Sequence, residues 1–383
     1  MAHHSTVFRQ LLDLLPRHEF DAEAREHQKG QRLRVMSRWA QFVALGLGQL
    51  GGLQSLRDIV SNLCAQPHKL YHLGVQALVS RSSLARVNAE QPYALYEELF
   101  SRLLARCRQR APRHGFRFKN KLYAIDATTI DVCLAAFPWA SFRRTKGAIK
   151  LHVGLDQAGH LPSFLSVTDG KAADVTVART WTFPAGSVVV ADRAYLDFGW
   201  LHRLQEQGVT FVTRLKRGVK YRVLRDHDVA IRTGVMSDQT IELTSARGRK
   251  AYPGTLRRVG YWDAETKQRY VFVTNNTTWV GKTIADLYKS RWQIELFFKW
   301  IKQYLKVKRF VGRSKNAVLT QLWVATCMYL LLAYLKFVLR LSWTLHRMLR
   351  VLQLNLFDRR SLVELFMPPS PPRAPNLQML LWC

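Results

Sequence analysis

The sequence predicts an α/β protein: a mixed sheet with helices on both faces, preceded by a helical segment and interrupted by an all-β insertion. Three observations carry this expectation. Residues 5 to about 110 place apolar side chains at helical spacing. From Tyr123 onward, short runs rich in β-branched residues alternate with helix patterns. Residues 217 to 275 then hold only β-like runs joined by polar turns.

In the leading segment, LRVMSRWAQFVALGLGQLGGL and YALYEELFSRLLARCRQR are apolar at helical intervals. SLRDIVSNL opens at Ser55, whose hydroxyl suits an N-cap. The arginines closing the Tyr93 helix suit the negative end of a helix dipole. Residues 102 to 121 contain eight Lys/Arg and no acid, with Pro112 and Gly115 among them. This basic linker is either a solvated connector or a strip along a phosphate backbone.

LYAIDATTIDV, AIKLHVGLD and LPSFLSVTD follow as strands, then a helix pattern from Ala172 to Thr180. SVVVAD is a continuous apolar run ending in an acid, as in a buried central strand. LDFGWLHRLQEQG reads as a helix closed by Gly208, and VTFVTRLK as the next strand. KYRVLRDH, DQTIELTS, LRRVGYWD and QRYVFVTNN make up the β-rich stretch, with no helix expected between them. Helical spacing resumes near Thr283 and continues through Lys302. Ala317 to Leu339 is long enough to cross a bilayer. Gln321 and Lys336 interrupt it, so a buried core helix is the better reading. The stretch from Met367 to Pro375 is proline-rich and expected to be loosely ordered.

Charge restricts the partner. The chain carries 58 Lys+Arg against 27 Asp+Glu, a formal net charge of +31. A surface this basic attracts a polyanion, DNA above all. The 11 Trp, 13 Tyr and 19 Phe argue for a large folded core rather than a simple cationic coat. Five scattered cysteines with no Cys-x-x-Cys pair argue against a disulfide framework and against zinc. Met1 to Gln10 has no apolar core of a signal peptide, so a cytoplasmic setting with reduced thiols is expected.

Two acids stand at strand ends: Asp126 in YAIDATT and Asp192 directly after SVVVA. Sites in α/β sheets form at the carboxyl ends of strands. A third acid lies in YKSRWQIELFFKWIKQYLK, where Tyr288, Arg291, Glu295 and Lys302 fall within roughly 60° of arc on one helix face. Ile294, Phe297, Trp300 and Ile301 occupy the other side. A surface ion-pair ladder would need both signs in similar number. Glu295 is instead a lone acid among Lys299, Lys302, Lys306, Lys308 and Arg309. Three carboxylates can clamp two divalent ions on a phosphodiester, and magnesium prefers such oxygen ligands. Asp131, Asp156, Asp169 and Asp174 are expected as turn or capping residues. Asp131 stands an odd five residues from Asp126, which puts it on the opposite face of an extended strand. His152 and His160 are expected to be structural.

The spacing Tyr288-x2-Arg291-x3-Glu295-x6-Lys302 resembles the Tyr-Arg-Glu-Lys signature of bacterial transposases of the insertion sequence four family. ADRAY around Asp192 and IDATTID around Asp126 resemble that family's other two acidic regions, and LRVMSRWAQF, SLRDI and LYHLG resemble its leading domain. The resemblance implies a ribonuclease-H-like catalytic domain with a β-rich insertion. It implies Asp126, Asp192 and Glu295 as catalytic residues and metal ligands, with Mg²⁺ as the ion and Mn²⁺ as a substitute. It implies that Tyr288, Arg291 and Lys302, with Lys299 beside them, contact double-stranded DNA at transposon ends and target. Trp262 or Trp279 would stack on a displaced base if excision passes through a hairpin, although a core position is the better reading of each. A homodimer on DNA, a nucleoid-associated cytoplasmic location and no membrane follow as expectations. The expected divisions are 1–115 (helical, DNA-binding, with the basic linker), 116–215 (first part of the catalytic core), 216–280 (β-rich insertion), 281–345 (second part, with the Glu helix) and 346–383 (a helix and the Pro-rich tail).

Overall fold

Strand-forming runs assemble into one ten-stranded sheet among the described residues. The strands are β1 (Leu122–Val132), β2 (Ser141–Arg143), β3 (Lys146–Asp156), β4 (Leu161–Asp169), β5 (Val188–Ala191), β6 (Thr210–Arg214), β7 (Tyr221–Asp226), β8 (Val235–Leu243), β9 (Leu256–Asp263) and β10 (Gln268–Thr274). Their order is β2-β3-β1-β5-β6-β10-β9-β8-β7, with β4 also paired to β3. β1, β3 and β4 are antiparallel neighbours, whereas β1, β5 and β6 run parallel. The computed structural model describes all residues except 1–3, 31–32, 34–35, 76–78, 144–145, 230, 306–308 and 368–383. The proline-rich tail beyond Met367, Lys306, Lys308 and Cys383 therefore lie outside the described residues.

The stretch expected as an all-β insertion differs from expectation in two ways. β7 to β10 form an antiparallel meander, but β10 also pairs with β6, Phe272 opposite Arg214. The meander thus continues the central sheet. It also contains a short helix, Ala246–Ala251, capped by Ser245, whose hydroxyl accepts from the Gly248 N–H. Its residues ARGRKA favour helix, but six residues are too few to show a helical period.

The helices that frame the site are α1 (Arg38–Leu50), α2 (Ala94–Arg110), α3 (Phe198–Glu206), α4 (Gly281–Ser290), α5 (Trp292–Tyr304), α6 (Lys315–Val338) and α7 (Leu345–Asn355). α6 is the apolar stretch that is long enough for a bilayer. Ser314 caps it, and 94% of its apolar window is buried inside the protein, against α1 and α2 among others. Its apolar surface is therefore already covered by protein. One core runs from Val7 to Phe366, so the leading helices and the closing helices stabilise each other. Leu331, fully buried in α6, is a measure of this. Leu331→Ala is expected to destabilise the whole fold by about 2–5 kcal/mol, read as a lower denaturant midpoint.

Strand alternation decides which side chains face which helices. Tyr123, Ile125, Val189, Ala191 and Phe211 pack with Trp200, Leu201 and Leu204 of α3. Leu122, Val188, Val190 and Val212 pack with Ile284, Ala285 and Leu287 of α4 on the other face. Ala124, on that same second face by parity, joins the core that contains Ile294 and Phe297 of α5.

Candidate catalytic site

Asp192 directly follows the last residue of β5, as expected, whereas Asp126 lies inside β1 rather than at a strand end, because pairing with β3 carries the strand on to Val132; parity puts both acids on the α4–α5 face. Asp126 continues the alternation of Leu122 and Ala124, and Asp192 that of Val188 and Val190. In the parallel β1–β5 ladder Ile125 pairs with Ala191, so Asp126 in β1 and Asp192 just past β5 are the next residues along. Asp131 falls on the opposite parity and is exposed, as its odd offset from Asp126 requires.

The opposing groups come from α4 and α5. The Tyr288 hydroxyl donates to Asp192 Oδ1 at 3.1 Å. Arg291 forks between two carboxylates: Nη1 lies 3.0 Å from Asp126 Oδ2, and Nη2 lies 2.6 Å from Glu295 Oε1. The Ala127 N–H donates to Asp126 Oδ1 at 2.8 Å. Three acids from distant parts of the chain therefore meet around one phenol and one guanidinium.

A single continuous helix was expected from Thr283 to Lys302, but the helix breaks at Arg291. The bonds around the break shorten to three-residue spans, Arg291 N–H to the Tyr288 carbonyl and Ile294 N–H to the Arg291 carbonyl. The tertiary ties of Arg291 to Asp126 and of Tyr288 to Asp192 act at this joint. Ile294, Phe297, Trp300 and Ile301 are buried, as the periodicity indicates.

Burial pushes Asp126 up to about 6 from the usual 3.8. Arg291 and the Ala127 N–H oppose that rise, while the charges of Asp192 and Glu295 add to it. Burial likewise pushes the Tyr288 phenol up to about 12. For Arg291, burial disfavours the charge, but Tyr288, Asp126 and Glu295 outweigh it and raise its pKa. The site is thus carboxylate-rich, partly desolvated and only partly neutralised by Arg291.

The donor set suits a hard divalent cation, since every candidate ligand is a carboxylate oxygen. Among the described residues no group of three or more His, Cys, Asp or Glu is placed to hold a metal ion. The physical reason lies in Arg291, whose positive charge stands between Asp126 and Glu295 in the role that a divalent ion would fill. The donors fit such an ion in their chemistry, and the guanidinium is the present counter-ion of Asp126 and Glu295.

Lys302 points back into the fold, its Nζ donating to the Thr129 carbonyl of β1 at 2.8 Å. Lys299 is exposed on α5. Thr129 had no signal in the sequence, because a backbone acceptor leaves no trace in residue type. Asp156 and Asp169 each accept from a backbone N–H two residues on, as turn acids do. Asp174 stands in the first turn of a short helix and also pairs with Lys150 at 2.6 Å, with the His152 ring 3.6 Å away. His152 is buried, which lowers its pKa to about 4, and it bonds to Thr168. His160 is likewise lowered by burial. Trp279 stacks on Phe118 at 4.6 Å, whereas Trp262 on β9 is 39% exposed. The described cysteines are all free.

Comparison with known proteins places the chain. Residues 117–331 match the family described as "Transposase DDE domain", and residues 3–76 match a "Domain of unknown function (DUF4372)". "Putative transposase y4zB" of Sinorhizobium fredii is 32% identical over 290 residues, covering 75% of this chain and 80% of that protein. "Probable transposase for insertion sequence element IS5377" of Geobacillus stearothermophilus is 34% identical, covering 66% and 67%. "Transposase InsG for insertion sequence element IS4" of Escherichia coli is 26% identical, covering 49% and 43%. The DDE match includes all three site acids and more than half of the chain, so the protein belongs to the DDE transposase family.

Proposed function

We propose that this chain is the transposase of an insertion sequence. It binds the element's terminal inverted repeats and catalyses cut-and-paste strand cleavage and strand transfer at Asp126, Asp192 and Glu295. The observation that supports this most is the meeting of those carboxylates around Arg291 and Tyr288. The three antiparallel strands leading into two parallel ones support a ribonuclease-H-like reading of the core.

Asp126, Asp192 and Glu295 would hold Mg²⁺, or Mn²⁺ in its place. When bound, such ions relieve charge on the scissile phosphate and activate the attacking oxygen. Asp126 in β1 and Asp192 just after β5 each follow the last pair of the β1–β5 ladder, which holds their backbones side by side. Glu295 reaches them from α5. With all three ionised, the acids exceed Arg291 by two charges and repel a DNA phosphate. Further positive charge is therefore needed before a strand can enter, and this supports a metal requirement. Arg291 then offers its fork, and Tyr288 its hydroxyl, to backbone phosphates. The leading helices and the basic linker grip the flanking duplex, and the net charge of +31 supports that assignment. Two element ends must be joined and each chain carries one such site, which supports a homodimer on DNA. A DNA-bound cytoplasmic protein associated with the nucleoid is the corresponding location.

Lys299 is assigned a phosphate contact, and Lys302 one that requires its Nζ to leave the Thr129 carbonyl. Alanine at either is expected to weaken end binding and to make the plot of log affinity against log salt shallower by about 0.9. An unchanged slope would remove that residue from the interface. The function is tested with duplex DNA carrying the element's ends and Mg²⁺. Cleavage followed by joining to a target is expected. Binding without nicking would leave a binding module, and nicking without joining a nuclease.

A further inference from the structure

Asp126 lies within β1 and Glu295 within α5, but Asp192 stands between the end of β5 and the short 3₁₀ turn Arg193–Tyr195. The ladders on both sides of β5 end at Ala191, paired with Ile125 of β1 and with Thr213 of β6. Beyond Asp192 the chain runs outward, with Arg193 and Ala194 exposed. Among the described residues, the one side chain bonded to the Asp192 carboxylate is Tyr288. That tie lapses when Tyr288 turns to a DNA phosphate. What then holds Asp192 is its backbone carbonyl. It accepts from the Tyr195 N–H at 3.0 Å, which closes the turn, and from the Thr213 hydroxyl at 3.1 Å.

Packing alone does not call for a threonine at 213. Strand alternation puts it on the α3 face with Phe211, behind the carboxylates, and it is 1% exposed. A buried hydroxyl costs free energy unless it is bonded, and valine has the same shape without that cost. The acceptor that the Thr213 hydroxyl finds is the Asp192 carbonyl. Register makes the reach possible, since Thr213 pairs with Ala191 and so stands one residue short of Asp192. The far end of the turn is fixed in the same core, where the buried Tyr195 ring lies 6.3 Å from Trp200.

We infer that Thr213 is a positioning residue for the reaction: from the face opposite the site, its hydroxyl fixes the Asp192 backbone and keeps the carboxylate in place beside Asp126 once Tyr288 has turned to DNA. The inference rests on the proposed catalytic role of Asp192. A misplacement of about 1 Å at a reacting centre can cost about 100-fold in rate. Partners that orient a metal ligand from behind account for about 10- to 100-fold in affinity or activity. Thr213 touches neither DNA nor a carboxylate, so its loss acts on rate and ion requirement and leaves DNA affinity alone.

The test compares Thr213→Val, which keeps the shape and removes the hydroxyl, with Thr213→Ser, which keeps the hydroxyl. In single-turnover cleavage of end-bearing duplex at saturating DNA, Thr213→Val is expected to be slower by about tenfold or more and to need about threefold more Mn²⁺ for half its maximal rate. Its DNA affinity in EDTA is expected to stay within about twofold of the parent's. Thr213→Ser is expected to cleave within about threefold of the parent rate. A readout independent of activity is hydrogen exchange of the DNA-bound protein in EDTA, followed by mass spectrometry. The Asp192–Tyr195 segment, which contains the bonded Tyr195 amide, is expected to exchange faster by about fivefold or more in Thr213→Val and at the parent rate in Thr213→Ser.

Parent-like cleavage by Thr213→Val would overturn the inference, as would an equal loss in Thr213→Ser. Slow cleavage with unchanged exchange at 192–195 would overturn the route through the Asp192 backbone. A melting temperature of Thr213→Val lower by more than about 5 °C would make the role one of fold stability and overturn it too. Absence of cleavage by the parent would defeat the proposed function, whereas equal cleavage by the parent and Thr213→Val would defeat the role of Thr213 alone.

Discussion

Replacing Asp192 by Asn is expected to lower cleavage of end-bearing DNA by at least about 1,000-fold, or about 4 kcal/mol of transition-state stabilisation. Affinity for the same DNA should change less than about threefold, because most binding free energy comes from phosphate contacts elsewhere. Asp126→Asn and Glu295→Gln are expected to behave alike, and single-turnover cleavage beside a mobility-shift titration measures both quantities. Normal cleavage by any one variant would remove that residue from the site. Asp126→Asn carries a second signature, in stability. Burial raises its folded pKa to about 6, above the unfolded 3.8. Its favourable contribution is therefore fully present below about pH 3.8 and is lost as pH rises through about 6. At pH 7.5 the ionised side chain costs about 2 kcal/mol, less some screening for its 22% exposure. Asp126→Asn should thus melt higher than the parent at pH 7.5 in EDTA, with the difference fading towards pH 4. A lower melting point at pH 7.5 would contradict the assigned burial.

Arg291→Gln is expected to have the other large effect, and in opposite directions with and without metal. In the metal-free protein the guanidinium is the counter-ion of Asp126 and Glu295, and its side chain is only 13% exposed. Removing it should destabilise the fold by about 1–3 kcal/mol in EDTA, with allowance for the part-exposed Glu295. The same loss vacates the space between the two carboxylates. Mn²⁺ without DNA is therefore expected to raise the melting temperature of Arg291→Gln by several degrees more than that of the parent. Titration calorimetry should show the matching gain in Mn²⁺ affinity, of about tenfold or more. Equal Mn²⁺ responses would mean that Arg291 does not compete with the ion. Cleavage should still fall in Arg291→Gln, because the fork that meets the phosphate is gone.

The parts of this site that sequence revealed are those written in local pattern. Asp126 and Asp192 each close an apolar run, and alternation along the strand separates Asp126 from Asp131 without any tertiary information. Glu295 stood out through its spacing from Tyr288, Arg291 and Lys302, and the buried side of α5 followed from the same period. The apolar length of α6 was ambiguous between membrane and core; packing against α1 and α2 decides for the core. What pattern could not show is set by partners remote in the chain. The break at Arg291 has no glycine or proline to mark it, and the ties made there reach residues on β1 and β5. β-propensity marks Gln268–Thr274 as a strand but does not say that β6 is its neighbour, so the meander looked like a separate layer. The bond from Lys302 to the Thr129 carbonyl depends on the same long-range packing.

Iron-directed cleavage of the protein tests most directly whether the three carboxylates hold the ion together. Fe²⁺ with ascorbate, in place of Mg²⁺ and with end-bearing DNA present, releases hydroxyl radicals that cut the chain beside the bound ion. Cuts near Asp126, Asp192 and Glu295 that appear together and are suppressed together by excess Mg²⁺ are the expected result. Cuts that spare the Glu295 helix, or that persist unchanged in Asp192→Asn, would contradict a shared metal site.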